Sequence, residues 1–440
     1  MKINPSVAKG LMTAPPSKSM AHRNLICAAL AQGKSIISNI DFSADIEATF
    51  SCLNVLGVKV QLDETNKTAD SSQNASSLTV YGTGGHFTEN PHSLFCNESG
   101  STLRFFIPLA LLSKEEAIFT GSRTLLSRPL SVYEELCKNQ GIIFQRLDTN
   151  TISQNTKQEE SKLRIQGKLQ PGNFTIPGNI SSQFITGLLF ALPLLSSDST
   201  ITLIDTIESR AYIDMTIQTQ KSFGIEIIWK NENTLFIKGN QKYIAKNQTV
   251  EGDFSNAAFF EAFNTIDGNV KIDGLNDESL QGDKIYLQHF SALEKDFCTI
   301  DISDCPDLGP ILFVVAALHK GGKFTGTKRL KIKESDRGSV MCQELAKLGI
   351  TSKQSENEIE IWPLQEKDLQ SLQKAQPVTL LGHNDHRIVM ALSVLLTKVG
   401  GNLEGVEAVR KSLPDFFKRI KKLGIDFELN GEEIKNGLDY

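Results

Sequence analysis

The stretch IQTQKSFGIEI, Ile217–Ile227, reads as the end of an amphipathic helix, then a glycine, then a β-branched run that starts a strand. Gly224 sits where a helix C-terminus calls for a left-handed residue, a conformation that glycine adopts without a Cβ clash. The same order recurs in CLNVLGVKV (Cys52–Val60), ELCKNQGIIF (Glu135–Phe144), ELAKLGI (Glu344–Ile350) and RIKKLGIDF (Arg419–Phe427), with Gly57, Gly141, Gly349 and Gly424 at the break. A weaker copy, without the glycine, runs from Phe290 to Ile302. After most copies a polar loop leads to a second strand. ETNKTADSSQNASS (Glu64–Ser77) precedes LTVYG, DTNTISQNTKQEES (Asp148–Ser161) precedes LRIQG, KNEN precedes TLFIKG and QSEN precedes IEIWP. Such Ser/Asn/Thr-rich stretches are expected to be exposed hairpin loops of variable length.

The chain thus reads as about six copies of a strand–helix–strand–helix–strand–strand unit. The polar stretch Ile237–Asp253 breaks the series after the third copy, and the strand before Pro15-Pro16 stands outside the first. Two domains of three copies each are expected, one over residues 17–247 and one over residues 1–16 with 248–440. The crossovers, near 13–17 and 239–250, are the hinge candidates.

Composition excludes several classes. With 440 residues and 40% hydrophobics the chain has ample material for packed cores, and disorder is ruled out. Lys and Arg number 46 against 51 Asp and Glu, giving −5, which disfavours a polyanion-binding surface but not a local basic pocket. MKINPSVAKG has neither the apolar core of a signal peptide nor an Arg-rich transit pattern. The apolar run Leu308–Leu318 contains Gly309 and Pro310 and is too short for a bilayer span of about 20 residues. Seven scattered cysteines with no Cys-x-x-Cys read as reduced, mostly structural thiols of a cytoplasmic protein.

Eight segments share a layout: a strand end, a Ser/Gly/Asn/Asp-rich turn, then a helix start, nearly always with Lys or Arg. They are PSKSMAHR (Pro16–Arg23), NESGSTLR (Asn97–Arg104), NISSQF (Asn179–Phe184), ESRAY (Glu208–Tyr212), DCPDLGP (Asp304–Pro310), KIKESDR (Lys331–Arg337), NDHRIV (Asn384–Val389) and VRKSLPDFF (Val409–Phe417). Helix N-termini present unpaired N–H groups and partial positive charge, and Arg adds a fork matched to phosphate and carboxylate. One Ser-x-Ser is ordinarily just an N-cap. Eight such segments, six of them carrying Lys or Arg, exceed what capping requires and point to anionic substrates. Asp307 and Glu334 lie in the same segments as acid–base candidates, although Glu334 alone also fits a surface salt bridge. His383-x-x-His386 is a weak metal signal with no third ligand nearby, so no metal is expected. Neither a Gly-x-Ser-x-Gly elbow nor a Walker loop occurs.

Taken together, PSKSMAHR, ESGSTLR, SRPL, SSQF, SRAYID, EGDFSNAA, PDLGP, KIKESDR, NDHR and KSLPDFF resemble, in order and over nearly the whole chain, the motifs of the 5-enolpyruvylshikimate-3-phosphate synthase family. KESDR and SKS-x-x-x-R are the most specific of them. The resemblance implies an α/β fold, the two-domain inside-out α/β barrel of the enolpyruvyl transferases, with three βαβαββ repeats per domain and helices aimed into the interdomain cleft. It implies a 3-phosphoshikimate 1-carboxyvinyltransferase of the shikimate pathway. Such an enzyme transfers the enolpyruvyl group of phosphoenolpyruvate to the 5-hydroxyl of shikimate 3-phosphate and releases phosphate. No cofactor, nucleic acid or membrane is implied, and a monomer is.

By the same resemblance, Lys18, Ser19, Arg23, Ser181, Ser182, Gln183, Ser209, Tyr212, Asp307 and Lys333 are expected at shikimate 3-phosphate. Lys18, Gly100, Ser101, Arg128, Gln183, Arg337, Arg387 and Lys411 are expected at phosphoenolpyruvate. Asp307, Glu334, Lys18 and Lys411 are the expected catalytic groups: Asp307 for the 5-hydroxyl proton and Glu334 for the proton at the methylene carbon. The domain of residues 17–247 is expected to serve shikimate 3-phosphate, and the other phosphoenolpyruvate.

Two positions depart from the family pattern. Glu98 stands where Asn is usual, so either the acid pairs with a neighbouring Arg or weakens phosphoenolpyruvate binding, or Asn97 serves through a one-residue bulge. Gly338 replaces an apolar residue after KESDR. Gly100 is kept, and the room it leaves implies inhibition by glyphosate. A sister enzyme acting on a UDP-N-acetylsugar needs a loop cysteine, but GSRTLLSRP (Gly121–Pro129) has none. A non-catalytic anion binder would not need both Asp307 and Glu334.

Overall fold

A computed structural model of the chain describes residues 1–63, 76–88, 92–148 and 161–429. The long polar loops after Asp63 and Asp148 lie almost wholly outside the described residues. The short ones, KNEN and QSEN, do connect antiparallel strands.

All five break glycines are left-handed, with φ of 90° at Gly57, 67° at Gly141, 84° at Gly224, 76° at Gly349 and 89° at Gly424. In each case the N–H after the glycine reaches back to the carbonyl five residues earlier. Val58 bonds Leu53 at 3.0 Å, Ile142 bonds Cys137 at 2.8 Å, Ile225 bonds Gln220 at 3.0 Å, Ile350 bonds Leu345 at 3.1 Å and Ile425 bonds Ile420 at 3.0 Å. This is the Schellman closure, which satisfies the last carbonyls while turning the chain into the next strand. The copy without glycine behaves differently. The helix Tyr286–Lys295 ends at Asp296 in an extended conformation, φ −148° and ψ 163°. The strand that follows, Cys298–Asp301, pairs in parallel with Gly322–Thr325 and opens the next sheet. The fourth copy therefore has no terminal hairpin among the described residues, a correction to the six-fold repeat.

The chain divides into two compact units, one spanning Lys18–Glu251 and one comprising Met1–Ser17 with the chain from Gly252 onward. In the first unit, two sheets follow the repeat directly. Their spatial orders are His92–Phe95, Glu116–Thr120, Ser161–Gln166, Ile143–Asp148 and Asn173–Pro177, Ser199–Ile204, Thr234–Ile237, Ile227–Trp229. In each, the first two strands are parallel and the rest antiparallel. In the third sheet the opening strand comes from the far end of the unit: Tyr243–Ile244 and Gln248–Thr249 lie parallel to Ala31–Ile40.

The second unit shows the reciprocal arrangement. Lys9–Thr13 lies parallel to Asn269–Asp273, and Lys2–Ile3 sits antiparallel between Gly401–Glu404 and Phe427–Glu428. The N-terminal residues thus complete two of its sheets. Where the chain passes between units, Pro16 bridges Gly252, and Asp253 N–H donates to Pro15 at 2.8 Å. Gln281, which is buried, holds this junction: its Oε1 accepts from Ser17 Oγ at 3.2 Å and from Phe254 N–H at 3.1 Å, and its Nε2 donates to Gly252 at 2.8 Å.

Some of the helices opened by the polar segments are almost wholly enclosed, while those that end at the break glycines, such as Arg210–Ser222 and Arg337–Lys347, bury one face only. Helix Gly309–Leu318 buries every residue but Leu318, and His386–Val399 every residue but Lys398. A helix apolar on all sides needs cover on all sides, which sheets and amphipathic helices supply here. Among the described residues no helix is long and apolar enough to cross a membrane. All seven cysteines are free thiols.

Gly349 isolates the backbone rule, because nothing lies within 4 Å of an added Cβ. Gly349→Ala should cost about 1–2 kcal/mol from left-handed strain alone. Urea unfolding measures it, and an unchanged midpoint would refute the role of the break glycines.

Candidate functional site

All eight polar segments open helices, and several caps are the segment residues themselves. Ser99 accepts from Thr102 N–H at 3.1 Å, Ser181 from Gln183 N–H at 3.3 Å, and Asp385 from Arg387 N–H at 2.9 Å. Capping explains these oxygens. It does not explain the cations, which gather in two groups in one unit and one in the other.

In the Lys18–Glu251 unit, Arg23 is buried and fully engaged. It donates to Thr216 Oγ1 at 2.9 Å, to the Ser19 carbonyl at 2.7 Å and to the Tyr212 carbonyl at 3.0 Å. It thereby ties Ser19 and Tyr212 together, with Phe105 and Tyr212 rings at 5.7 and 5.9 Å from the guanidinium. Burial pulls its pKa down to about 10. Burial, then Lys18 and Arg23, hold His22 neutral, well below its ordinary range. Lys18 Nζ lies 2.7 Å from Asp45 Oδ2. Asp45 belongs to none of the sequence motifs and reads there only as an acidic residue in the first turn of a helix.

A second group in this unit centres on Gln183. Its Oε1 accepts from Arg104 Nη1 at 2.6 Å and its Nε2 donates to Ser101 Oγ at 2.9 Å. A Cβ on Gly100 would lie 2.9 Å from Arg128 Nη1 and 3.2 Å from Arg104 Nη1, so Gly100, Ser101, Arg104, Arg128 and Gln183 form one patch. Arg128 is the open cation. Its Nε is buried, and no hydrogen bond or ion pair of its guanidinium falls among the described residues. Its own backbone is held by Arg146, which donates to the Leu126 and Arg128 carbonyls. Ser181 and Ser182 are buried at the start of helix Ser182–Ala191, and Ser209 is a left-handed cap, φ 57°, before Arg210–Ser222. Asn97 is also left-handed, φ 51°, and its carbonyl accepts from Ser122 N–H at 2.7 Å; Glu98 beside it is half-buried.

The second unit holds the acid–base candidates, organised by Arg337. Its side chain is 1% exposed and meets three carboxylates: Asp385 at 2.8 Å through Nε, Asp307 at 2.7 Å through Nη1 and Glu334 at 2.5 Å through Nη2. Burial alone lowers a guanidinium pKa, but Asp385, Glu334 and Asp307 overcome it and raise Arg337 above its ordinary value. Asp307 also meets Lys333 Nζ at 3.0 Å and Arg387 Nη2 at 3.3 Å. Burial works to raise its pKa, yet Arg387, Lys333 and Arg337 prevail and hold the carboxyl well below the usual carboxylate range. Lys333 is lowered by burial, against the pull of Asp307. Lys411 Nζ donates to the Asn384 carbonyl at 2.6 Å.

Two acids here escaped the sequence reading. Asp385 lies inside NDHR, yet it is the fully buried partner of Arg337, accepting also from Ser335 Oγ at 3.1 Å. Asp283 is buried and bonded by Ser255 Oγ. The metal signal has another explanation: His383 Nε2 is 2.8 Å from Glu344, and among the described residues no group of three or more His, Cys, Asp or Glu is arranged for a metal. Gly338 is accounted for by Ile359, whose Cδ1 lies 2.8 Å from where a Cβ would stand.

Asp283 is pushed up to about 6, by burial first and then by Asp307. An unfolded Asp titrates near 3.9, so between about pH 4 and 6 the folded state keeps a proton that the unfolded state has lost. That term's stabilisation is lost as pH rises through this window. Asp283→Asn should therefore gain stability on wild type, by up to about 3 kcal/mol at pH 7 and none at pH 4. Melting curves across the window check it; a pH-independent difference would refute it.

The EPSP synthase family model (3-phosphoshikimate 1-carboxyvinyltransferase) matches residues 4–420. A 3-phosphoshikimate 1-carboxyvinyltransferase of Clostridium novyi is 40% identical over 443 residues, covering 96% of this chain and 97% of its own. Its counterpart from Clostridium acetobutylicum is 39% identical over 446 residues, covering 97% of each. Among solved structures, an EPSP synthase of Acinetobacter baumannii superposes with a TM-score of 0.72 at 22% identity, over 97% of this chain and 98% of that one, and has the same two-domain inside-out α/β fold. The repeats, the cationic helix starts and this kinship over the whole length make the chain a member of the EPSP synthase family, an enzyme that transfers the enolpyruvyl group of phosphoenolpyruvate to shikimate 3-phosphate.

Proposed function

We propose that the enolpyruvyl transfer draws on both units, with the Lys18–Glu251 unit serving mainly shikimate 3-phosphate and the other unit mainly phosphoenolpyruvate. The observation that carries this reading is Arg337, which gathers Asp307 and Glu334 within 2.7 Å and 2.5 Å of one guanidinium. Two carboxylates held side by side are what two proton transfers require.

In this reading Ser181, Ser182 and Ser209 donate to the 3-phosphate, with Lys18, Ser19 and Arg23 beside them. Gln183, Tyr212 and Lys333 line the shikimate ring. Arg128, Arg337, Arg387 and Lys411 take phosphoenolpyruvate, and Lys18, Gly100, Ser101 and Gln183 serve it as well. Asp307 removes the 5-hydroxyl proton as that oxygen attacks the enol carbon, while Glu334 protonates the methylene to a methyl. The tetrahedral intermediate carries both phosphate and carboxylate. Loss of a methyl proton and departure of phosphate then restore the double bond, with Lys18 and Lys411 offsetting the leaving charge. The scheme balances without a cofactor or metal.

The cations also set the basicity of Asp307. With Lys333, Arg337 and Arg387 on it, this carboxylate is a weak base. Substrate anions that recruit those cations relieve the pull and strengthen the base when it is needed. Among the described residues Arg128 has no such partner to release, so it is the first grip on phosphoenolpyruvate. Glyphosate, an anion with a carboxylate and a phosphonate, competes for the same patch beside Gly100. The free cysteines suit a reducing cytoplasm, where the protein acts as a monomer.

Purified protein should release phosphate only when both substrates are present; release that ignores shikimate 3-phosphate would overturn the reading. Glu334→Ala and Asp307→Ala should bind substrates but lose roughly 10²–10⁴-fold in kcat. Arg128→Ala should raise KM for phosphoenolpyruvate by roughly 10–100-fold and leave that for shikimate 3-phosphate nearly unchanged. Activity that persists under saturating glyphosate would remove the inhibitor assignment.

A further inference from the structure

Glu344 lies two turns beyond Arg337 on the helix Arg337–Lys347, and its side chain is 1% exposed. It touches neither Asp307 nor Glu334 in any contact described above. Its Oε2 accepts from Leu381 N–H at 2.9 Å and from Lys347 Nζ at 2.7 Å, and its Oε1 meets His383 Nε2 at 2.8 Å. A buried carboxylate is costly unless its lone pairs are filled, and these three partners fill them. Two of the three belong to one turn.

That turn is strained. His383 and Asn384 are consecutive non-glycine residues in the left-handed region, with φ of 49° and 53°. Each costs roughly 1–2 kcal/mol and persists only where surrounding contacts hold it. The turn's output is the cation cluster. The Asn384 carbonyl receives Lys411 Nζ at 2.6 Å. Asp385, closed onto Gly382 by a 2.9 Å backbone bond, caps the next helix at Arg387 and pairs with Arg337. One short segment thus orients Lys411, Arg337 and Arg387.

We propose that Glu344 is a positioning residue for phosphoenolpyruvate: it clamps the Leu381–Asp385 turn in its strained form, so that the Asn384 carbonyl and the Asp385 carboxylate meet Lys411 and Arg337. This rests on the reading of Lys411, Arg337 and Arg387 as the phosphoenolpyruvate cations. Loss of the clamp lets the turn relax, moving the two acceptors and the cations with them. Most of the residues assigned to shikimate 3-phosphate lie in the other unit, and the two in this one, Asp307 and Lys333, keep their own 3.0 Å contact, which does not run through the turn.

The test is steady-state kinetics of Glu344→Ala and Glu344→Gln beside Lys411→Ala and Arg387→Ala. Glu344→Ala should raise KM for phosphoenolpyruvate at least about tenfold and change that for shikimate 3-phosphate less than about twofold. Glu344→Gln, which keeps an acceptor for Leu381 N–H, should recover most of the loss. A merely structural anchor would lower the melting temperature without splitting the two KM values. Equal rises in both KM values, or none, would overturn the proposal. Should Glu344→Ala fail to fold, His383→Ala decides instead, with a several-fold rise confined to phosphoenolpyruvate expected and an unchanged KM overturning it. If Lys411→Ala and Arg387→Ala leave KM for phosphoenolpyruvate unchanged, the cation assignment itself falls. If they raise it and the Glu344 variants do not, only the present inference falls.

Discussion

Arg337 and its three carboxylates are the constraint on which the second unit's chemistry depends. A guanidinium with 1% exposure has no water to solvate it, so each donor must find an acceptor. Asp385 fills the Nε side, and Asp307 and Glu334 fill the other. Removing one acid from such a set strands buried charge and costs several kcal/mol, roughly 3–5 for a simple pair. The same pairing that holds the cluster together fixes the spacing of the two acids and keeps Asp307 ionised. Structure and chemistry here use one set of contacts.

The fold delivers these groups through a repeated device. A left-handed glycine ends an outer helix and returns the chain to a sheet, and a polar turn then opens an enclosed helix. Because the enclosed helices are apolar along their length, their polar first turns are the place left for charge. Arg23 and Arg387 sit in the first turns of enclosed helices, Arg337 opens an outer one and Arg128 follows the short helix Arg123–Ser127; all four are nine-tenths buried or more. Burial makes their charges strong because little water screens them, and it also obliges the protein to supply acids beside them.

Long-range supports complete the arrangement. Gln281 fastens the strands near Ser17 and Gly252, 264 residues from one partner and 29 from the other. Tyr133 Oη donates to the Arg104 and Phe184 carbonyls at 2.8 and 2.9 Å and joins two of the helices that carry the Gln183 patch. Neither residue is assigned to the chemistry, yet each fixes the backbone from which reacting groups project.

The sequence by itself determined the local rules. The five break glycines, the helix starts and the all-apolar Leu308–Leu318 run follow from steric freedom, capping and burial, which act over a few residues and leave a pattern in the chain. The cation and acid candidates other than Arg128 were legible for the same reason, since each lies inside a helix-start segment. Only the tertiary structure decided the pairings. That Asp45 meets Lys18, that Asp385 completes Arg337, and that Glu344 holds a turn 37 residues away depends on how separate elements pack. It likewise decided that the fourth repeat has no hairpin among the described residues and that the N-terminal strands complete distant sheets, because an open sheet edge can pair with a strand from far along the chain.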